Sequence, residues 1–168
     1  SQYQKLGQVS ETLEVNEYGV KLIVNLHDYL DTGLFLDHKI TRRRLGEMAQ
    51  GKDFLNLFAY TCGFSVAAIA GGADKVVNVD MAKAALSKGR ENHKLNGHNI
   101  NQVGFMGHDI FKSWGKIKKS GQYDMIIIDP PSFQKGSFAL TKDYKKILRR
   151  LPDLLAEGGQ VLACVNSP

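Results

Sequence analysis

The sequence predicts an α/β fold: a mostly parallel central sheet with helices on both faces, preceded by an N-terminal β-hairpin. Three observations carry this. Short apolar runs recur from Asp53 onward, helix-period segments that close on glycine alternate with them, and an alternating apolar/polar stretch split by a turn comes first.

In the opening stretch, Leu13, Val15, Val20, Leu22, Val24 and Leu26 alternate with mostly polar neighbours across Asn16-Glu17-Tyr18-Gly19, which reads as a hairpin with one buried face. A helix near Thr41 to Met48 follows, carrying Arg42, Arg43 and Arg44. The apolar runs Phe54–Phe58, Val76–Val79, Val103–Met106, Met125–Ile128 and Val161–Val165 read as five strands. Met125-Ile126-Ile127-Ile128 suits the sheet centre, where a parallel strand is buried on both faces. Helices are predicted over Phe64–Ala70, Ala82–Leu95 and Thr141–Leu155, ending at Gly71-Gly72, Asn96-Gly97 and Gly158-Gly159, with Pro152 kinking or splitting the last. Residues 1–52 therefore read as a hairpin-and-helix extension and 53–168 as the α/β core. A sheet of this kind usually continues beyond its fifth strand, so the core is expected to lack its last strands.

Composition excludes several classes. Cys62 and Cys164 are the two cysteines, with neither CxxC spacing nor histidines at ligand intervals, so a disulfide framework and a zinc site are not expected. His27, His38, His93, His98 and His108 show no metal-ligand pairing, and of these His38 alone is expected near the site. No apolar run reaches the ~20 residues of a membrane span, and the polar start Ser1–Lys5 is unlike a signal peptide, so a soluble cytoplasmic protein is expected. The formal charge of +5 tilts the choice of partner toward polyanions.

In a doubly wound sheet the ligand lies beyond the carboxyl ends of the strands at the switch point, so residues just after each apolar run are the informative ones. Ala59-Tyr60-Thr61-Cys62-Gly63-Phe64 forms a strand-to-helix turn whose amides could hold a carboxylate or phosphate, or a plain connecting turn. Asp80 follows Gly63 at close to the ~20-residue offset of a ribose-binding carboxylate; its alternative role is a helix N-cap. Asp109 could accept an adenine amino group while Ile110 packs on the ring, or it could merely cap a short helix with Phe111 and Trp114.

The most specific signal is Asp129-Pro130-Pro131-Ser132-Phe133. Two consecutive prolines cannot continue a central strand, and they stiffen a loop that presents Asp129 and the Pro130 carbonyl in fixed directions. Such a corner suits a planar base held by hydrogen bonds with Phe133 stacked on it; a rigid structural turn is the other reading. The G-x-G-x-x-G fingerprint of a nicotinamide-dependent oxidoreductase is absent.

Three stretches carry a family resemblance: Gln2-Tyr3-Gln4-Lys5-Leu6-Gly7, the run from Asp28 through Thr32-Gly33-Leu34-Phe35-Leu36-Asp37-His38, and Gly51-Lys52-Asp53-Phe54-Leu55-Asn56-Leu57-Phe58. They resemble the bacterial large-subunit ribosomal RNA methyltransferases, most nearly the guanine-N7 module of the bifunctional enzyme, and more distantly the cytosine-5 enzyme. The resemblance implies a Rossmann-like class I methyltransferase fold, S-adenosylmethionine as cofactor and large-subunit rRNA as partner. On it, the cofactor candidates become Phe35, Lys39, Asn56, Ala59, Tyr60, Thr61, Gly63, Phe64, Asp80, Met81, Asp109, Ile110 and Asp129. Asp129, Pro130, Pro131 and Asn166 become the catalytic set, and Phe133 and Arg42 the substrate contacts. Relatives often carry Gly-Gly where Cys62-Gly63 stands. The segment Lys39-Ile40-Thr41-Arg42 takes the place of an Arg-rich helix start and could reach RNA phosphate or the cofactor carboxylate.

Methylating cytosine C5 requires a thiolate nucleophile, whereas a base nitrogen needs only alignment with the methyl donor. Cys164 lies within an apolar run, two residues before Asn166 where cytosine-5 relatives place their cysteine, and reads as a buried small hydrophobe. Transfer to nitrogen, a ring nitrogen or an amino group, is therefore expected. A cytosine-5 enzyme, a small-molecule or protein methyltransferase, and a noncatalytic RNA-binding module are the alternatives. The basic runs Arg42–Arg44, Lys112 with Lys116, Lys118 and Lys119, and Lys142, Lys145, Lys146, Arg149 and Arg150 could line an RNA path or be solvated helix faces.

Overall fold

The computed structural model describes residues 12–25, 32–131, 133–134 and 138–165. The hairpin is β1 (Leu13–Glu17) paired antiparallel with β2 (Val20–Val24). Its loop is shorter than expected, because Asn16 and Glu17 pair within β1 and only Tyr18 and Gly19 turn the chain. Both have positive φ, 52° and 84°, matching the twist of the strands they join. Leu26 lies outside the described residues. A 3-10 turn (Leu36–His38) leads into α1 (Lys39–Glu47).

The core alternates as expected: β3 (Asp53–Leu57), α2 (Gly63–Ala70), β4 (Lys75–Val79), α3 (Lys83–Leu95), β5 (Val103–Met106), α4 (Trp114–Lys119) and β6 (Tyr123–Ile128). Short strands β7 (Phe133–Gln134) and β8 (Phe138–Ala139) precede α5 (Leu140–Leu148), α6 (Leu151–Leu154) and β9 (Leu155–Ala163). The five-stranded sheet runs β5-β4-β3-β6-β9, parallel throughout. The chain moves outward in one direction from β3 to β5, then crosses back to β6, so the switch point lies between β3 and β6.

Pro152 sits in the first turn of α6 and divides the last helix in two, as its fixed φ and missing N–H require. Gly158-Gly159 does not stop a helix. It falls inside β9, where the ladder shifts register between the Tyr123–Leu155 and Met125–Gln160 pairs. Gly158 has φ +71°, and a Cβ on Gly159 would stand 3.0 Å from the Tyr123 carbonyl oxygen. Glycine at a strand irregularity and glycine closing a helix answer the same conformational demand, so the two look alike in sequence.

Apolar side chains bury both faces of the sheet. Leu55, Leu57, Val77, Ile126 and Ile128 pack with Ile117 of α4, Ile147 of α5 and Leu154 of α6. On the other face, Phe54, Val76, Met125 and Ile127 meet Leu45 of α1 and Phe64 and Ala68 of α2.

The hairpin docks on this second layer. Leu22, Val24 and Leu34 cluster with Val66 of α2, and two asparagines of α3 pair with the open edge of β2. Asn92 accepts from the Ile23 amide at 2.9 Å. Asn96 accepts from the Lys21 amide at 2.8 Å and donates to the Lys21 carbonyl at 2.7 Å. Spaced four apart, these side chains share one helix face and stand in for a third strand.

Arg42 of α1 is buried and forks onto both carboxylate oxygens of Glu17 at 2.7 Å, while also donating to the Phe35 carbonyl at 2.8 Å. Removing either member would strand a buried charge, at a cost of about 3–5 kcal/mol.

Candidate active site

The turn after β3 departs from ordinary backbone. Phe58, Tyr60 and Cys62 have φ of 58°, 52° and 65°, three side-chain-bearing residues in the left-handed region at alternate positions. Each such residue costs roughly 1–3 kcal/mol and persists only where its surroundings over-determine it.

The surroundings do so here. The Ala59 amide donates to the Val79 carbonyl and the Cys62 amide to the Ala59 carbonyl. The Tyr60 amide donates to Asp80 Oδ2 at 2.8 Å, and its hydroxyl accepts from the Gly33 amide at 3.1 Å. Thr61 Oγ1 donates to the Gly33 carbonyl, and Asn92 Nδ2 donates to the Thr61 carbonyl at 3.1 Å. Cys62 is fully buried against Gly89 of α3, where an added Cβ would fall 2.3 Å from its sulfur. Burial, then the neighbouring Asp80, push the Cys62 thiol strongly upward, so it is a packing group.

This turn, the end of β4 and the end of β6 converge on one cleft of about 320 Å³ at the switch point. Of the expected cofactor residues, Phe35, Ala59, Tyr60, Thr61, Gly63, Phe64, Asp80 and Asp129 line it. Asp80 and Asp129 thus face one cavity from opposite sides of β3. Pro131 lines the cleft, while Pro130 is buried behind it.

Other candidates fall elsewhere. Arg42 borders the cleft, but its guanidinium is engaged by Glu17 and Phe35 rather than turned toward RNA phosphate. Lys39 is exposed, with its ammonium 5.2 Å from the Tyr18 ring centroid, outside the cleft lining. Asn56 is buried and donates to Asn78 Oδ1 at 2.9 Å; it belongs to a polar chain in the core rather than to the cleft wall. Met81 is exposed beside Asp80. Asp109 caps a 3-10 turn, accepting from the Phe111 amide at 2.9 Å, and Ile110 is part of the apolar core. Phe133 is placed by its backbone in β7, and Asn166 lies outside the described residues.

The cleft contains residues that sequence reading left aside: Leu34, Asp37, Phe58 and Ala82. His38 has the partner that its sequence spacing did not suggest. Its Nε2 lies 3.2 Å from Asp129 Oδ2, and its ring packs on Phe64 with centroids 5.5 Å apart. Cys164 is also displaced from its expected role. It lies one residue beyond β9 and is half-buried, and its sulfur forms a cluster within 4.8 Å with donor atoms of His38 and Asp129. Burial first, then Asp129 and Asp37, push this thiol up to about 11.

The arrangement fits an adenosyl sulfonium amino acid. Asp80 spends one lone pair of each oxygen on backbone amides, Tyr60 and Ala82 at 2.8 Å each, which fixes the carboxylate and leaves capacity for ribose hydroxyls. No side chain caps the start of α2, whose first amides have no helical acceptor and suit a carboxylate. The cleft volume is in the range of small-ligand sites.

Comparison with known proteins agrees with this geometry. The family model for S-adenosylmethionine-dependent methyltransferases matches residues 3–168. The chain belongs to that family. A curated relative from Vibrio campbellii, ribosomal RNA large subunit methyltransferase K/L, is 58% identical over 99% of this chain, and its Vibrio cholerae counterpart is 51% identical over the same share. The chain spans about a quarter of their length, 24% in each case. Among solved structures, a protein assigned as a methyltransferase and crystallised with SAH superposes with a TM-score of 0.89 at 36% identity, covering 96% of this chain and 43% of that one. A Streptococcus mutans protein assigned as a SAM-dependent methyltransferase gives 0.88 at 36%, covering 95% and 43%. Like these relatives, the S-adenosylmethionine-dependent family member described here has a Rossmann-like fold. No helix among the described residues is long and apolar enough to cross a membrane.

Proposed function

We propose that this chain binds S-adenosylmethionine in the switch-point cleft and methylates a base nitrogen of large-subunit ribosomal RNA. The observation that carries this reading is the shared cleft of Asp80 and Asp129, one poised for a ribose and the other at a rigid diproline corner. The names of the K/L relatives supply the substrate class.

S-adenosylmethionine supplies an electrophilic methyl group. The amides at the start of α2 hold its carboxylate end, and Asp80 accepts from its ribose hydroxyls. Asp129, held by His38 and stiffened by Pro130-Pro131, accepts from the amino edge of the incoming base and sets its ring nitrogen in line. A nitrogen lone pair needs no covalent activation, so the residues act by alignment and by excluding water. Cys164 stays a thiol at neutral pH, which favours nitrogen over cytosine C5. Ribosomal RNA as substrate places the reaction in the cytoplasm.

Incubating the chain with radiolabelled S-adenosylmethionine and unmodified ribosomal RNA, then digesting and resolving the nucleosides, tests the reading. Label in a methylated base of the large-subunit RNA is expected. Failure of S-adenosylhomocysteine to bind in calorimetry would discard the enzyme, RNA binding with no transfer would leave a binding module, and label in protein or small amides would change the substrate class.

A further inference from the structure

The fold brings the last basic run of the sequence against two aromatic rings that lie before and at the start of α4. Groups from α4 and its preceding turn, with others from α5, α6 and the link between them, line one surface groove of about 470 Å³: Phe111, Trp114, Lys146, Arg149, Arg150 and Asp153. Phe111 and Trp114 stand edge to face at 6.2 Å. The Lys146 ammonium lies 5.6 Å from the Phe111 ring centroid and the Arg150 guanidinium 5.8 Å from that of Trp114. Lys116, Lys118 and Lys119 of α4 and Lys145 of α5 are exposed on the two helices that also carry Trp114 and Lys146.

Half-buried rings with exposed cations above them answer two demands of a nucleic-acid strand at once. The cations meet phosphates, and a base can displace a cation to stack on a ring. Solvated lysines alone would need no aromatic floor. The groove is also tied to the catalytic rim. The hydroxyl of Tyr144 on α5 donates to the Cys164 carbonyl at 3.3 Å, and the Cys164 sulfur lies within 4.8 Å of donor atoms of His38 and Asp129. We infer that this groove is the track for the RNA strand flanking the target base, an assignment that rests on the rRNA reading above.

Fluorescence anisotropy of a labelled stem-loop from large-subunit rRNA, titrated with the 168-residue chain across a KCl series, reads the groove directly. Arg149→Ala with Arg150→Ala is expected to weaken binding about ten-fold or more and to lower the slope of log affinity against log salt by about two. Lys88→Ala with Lys94→Ala removes equal charge from α3 and is expected to leave both quantities unchanged. Trp114→Leu is expected to weaken binding about ten-fold with the salt slope retained, since stacking is not screened. S-adenosylhomocysteine affinity, unchanged in every variant, verifies folding. Equal losses in the two double variants, or none in Arg149→Ala with Arg150→Ala, would overturn the groove. Wild-type chain that binds S-adenosylhomocysteine but no RNA would instead overturn the rRNA reading itself.

Discussion

His38 Nε2 lies 3.2 Å from the carboxylate of Asp129, joining the segment that follows the hairpin to the last residue before the diproline corner. A side chain from outside the sheet thus sets the direction in which the Asp129 carboxylate points, and the Phe64 ring beneath limits how the imidazole can turn.

If His38 is a positioning residue, His38→Ala should slow methyl transfer about ten-fold, the worth of one charge-assisted hydrogen bond. S-adenosylhomocysteine affinity should stay within about two-fold, since no step of cofactor binding is assigned to this ring. His38→Gln, which can still donate, should recover part of the rate. Single-turnover kinetics measure this; a His38→Ala rate equal to wild type would remove the residue from the mechanism.

Cys164→Ser should leave methylation within about two-fold of wild type, because a thiol raised to about 11 by burial and by Asp129 and Asp37 is protonated at neutral pH and supplies no nucleophile. Loss of activity with cofactor binding intact would point to attack through sulfur.

Gly89→Ala would drive a methyl group into Cys62, and the strained turn would have to move. Overpacking of this kind costs about 1–3 kcal/mol, so a melting temperature several degrees lower and weaker S-adenosylhomocysteine binding are expected. Adding Cys62→Gly should restore both, since it removes the obstructing sulfur at a position with φ of 65° that suits glycine. Failure of the second substitution to rescue would show that the contact does not govern the turn.

His93 should make the fold acid-sensitive. It bonds Ser65 at 2.8 Å and His98 at 2.9 Å, and burial followed by His98 lowers its pKa to about 3. The folded-state value lies below the ordinary 6.5, so His93 is neutral in the folded chain and charged in the unfolded one between those pH values. Its contribution is complete above about pH 6.5 and declines by about 1.4 kcal/mol per unit as pH falls toward 3. His98, also lowered by burial, adds in the same direction. Urea midpoints from pH 7 to 4, with the ring carbon shifts of His93 followed by NMR, measure this; a protonated His93 ring at pH 5 would contradict it.

Periodicity makes the sheet legible because buried parallel strands leave continuous apolar runs, and Asp80 and Asp129 stand out because both follow such runs, which is why they line one cleft beyond the strand ends. Contacts made across the fold were not legible. Nothing local marks Arg42 as the partner of a hairpin glutamate, so a buried ion pair read as an RNA contact. Asn56 likewise turned inward, donating to Asn78, which donates to Ser65 at 3.0 Å in a chain that sequence spacing does not reveal. Cys164 has apolar neighbours in sequence, yet β9 ends one residue before it and leaves it half-buried. His38 could be placed near the site but not paired, because its partner lies in β6's exit loop, 91 positions away in the chain.

Asn92 holds two things at once. One atom of its amide receives the β2 backbone at Ile23, and the other grips the Thr61 carbonyl in the strained turn. Anything that tightens the turn lowers the freedom of that amide and so anchors the hairpin more firmly. A hairpin pulled away from α3 gives up the Ile23 bond, one of the contacts that hold the Asn92 amide against the turn. The N-terminal ribbon and the strained turn are thus fastened to α3 by the same side chain.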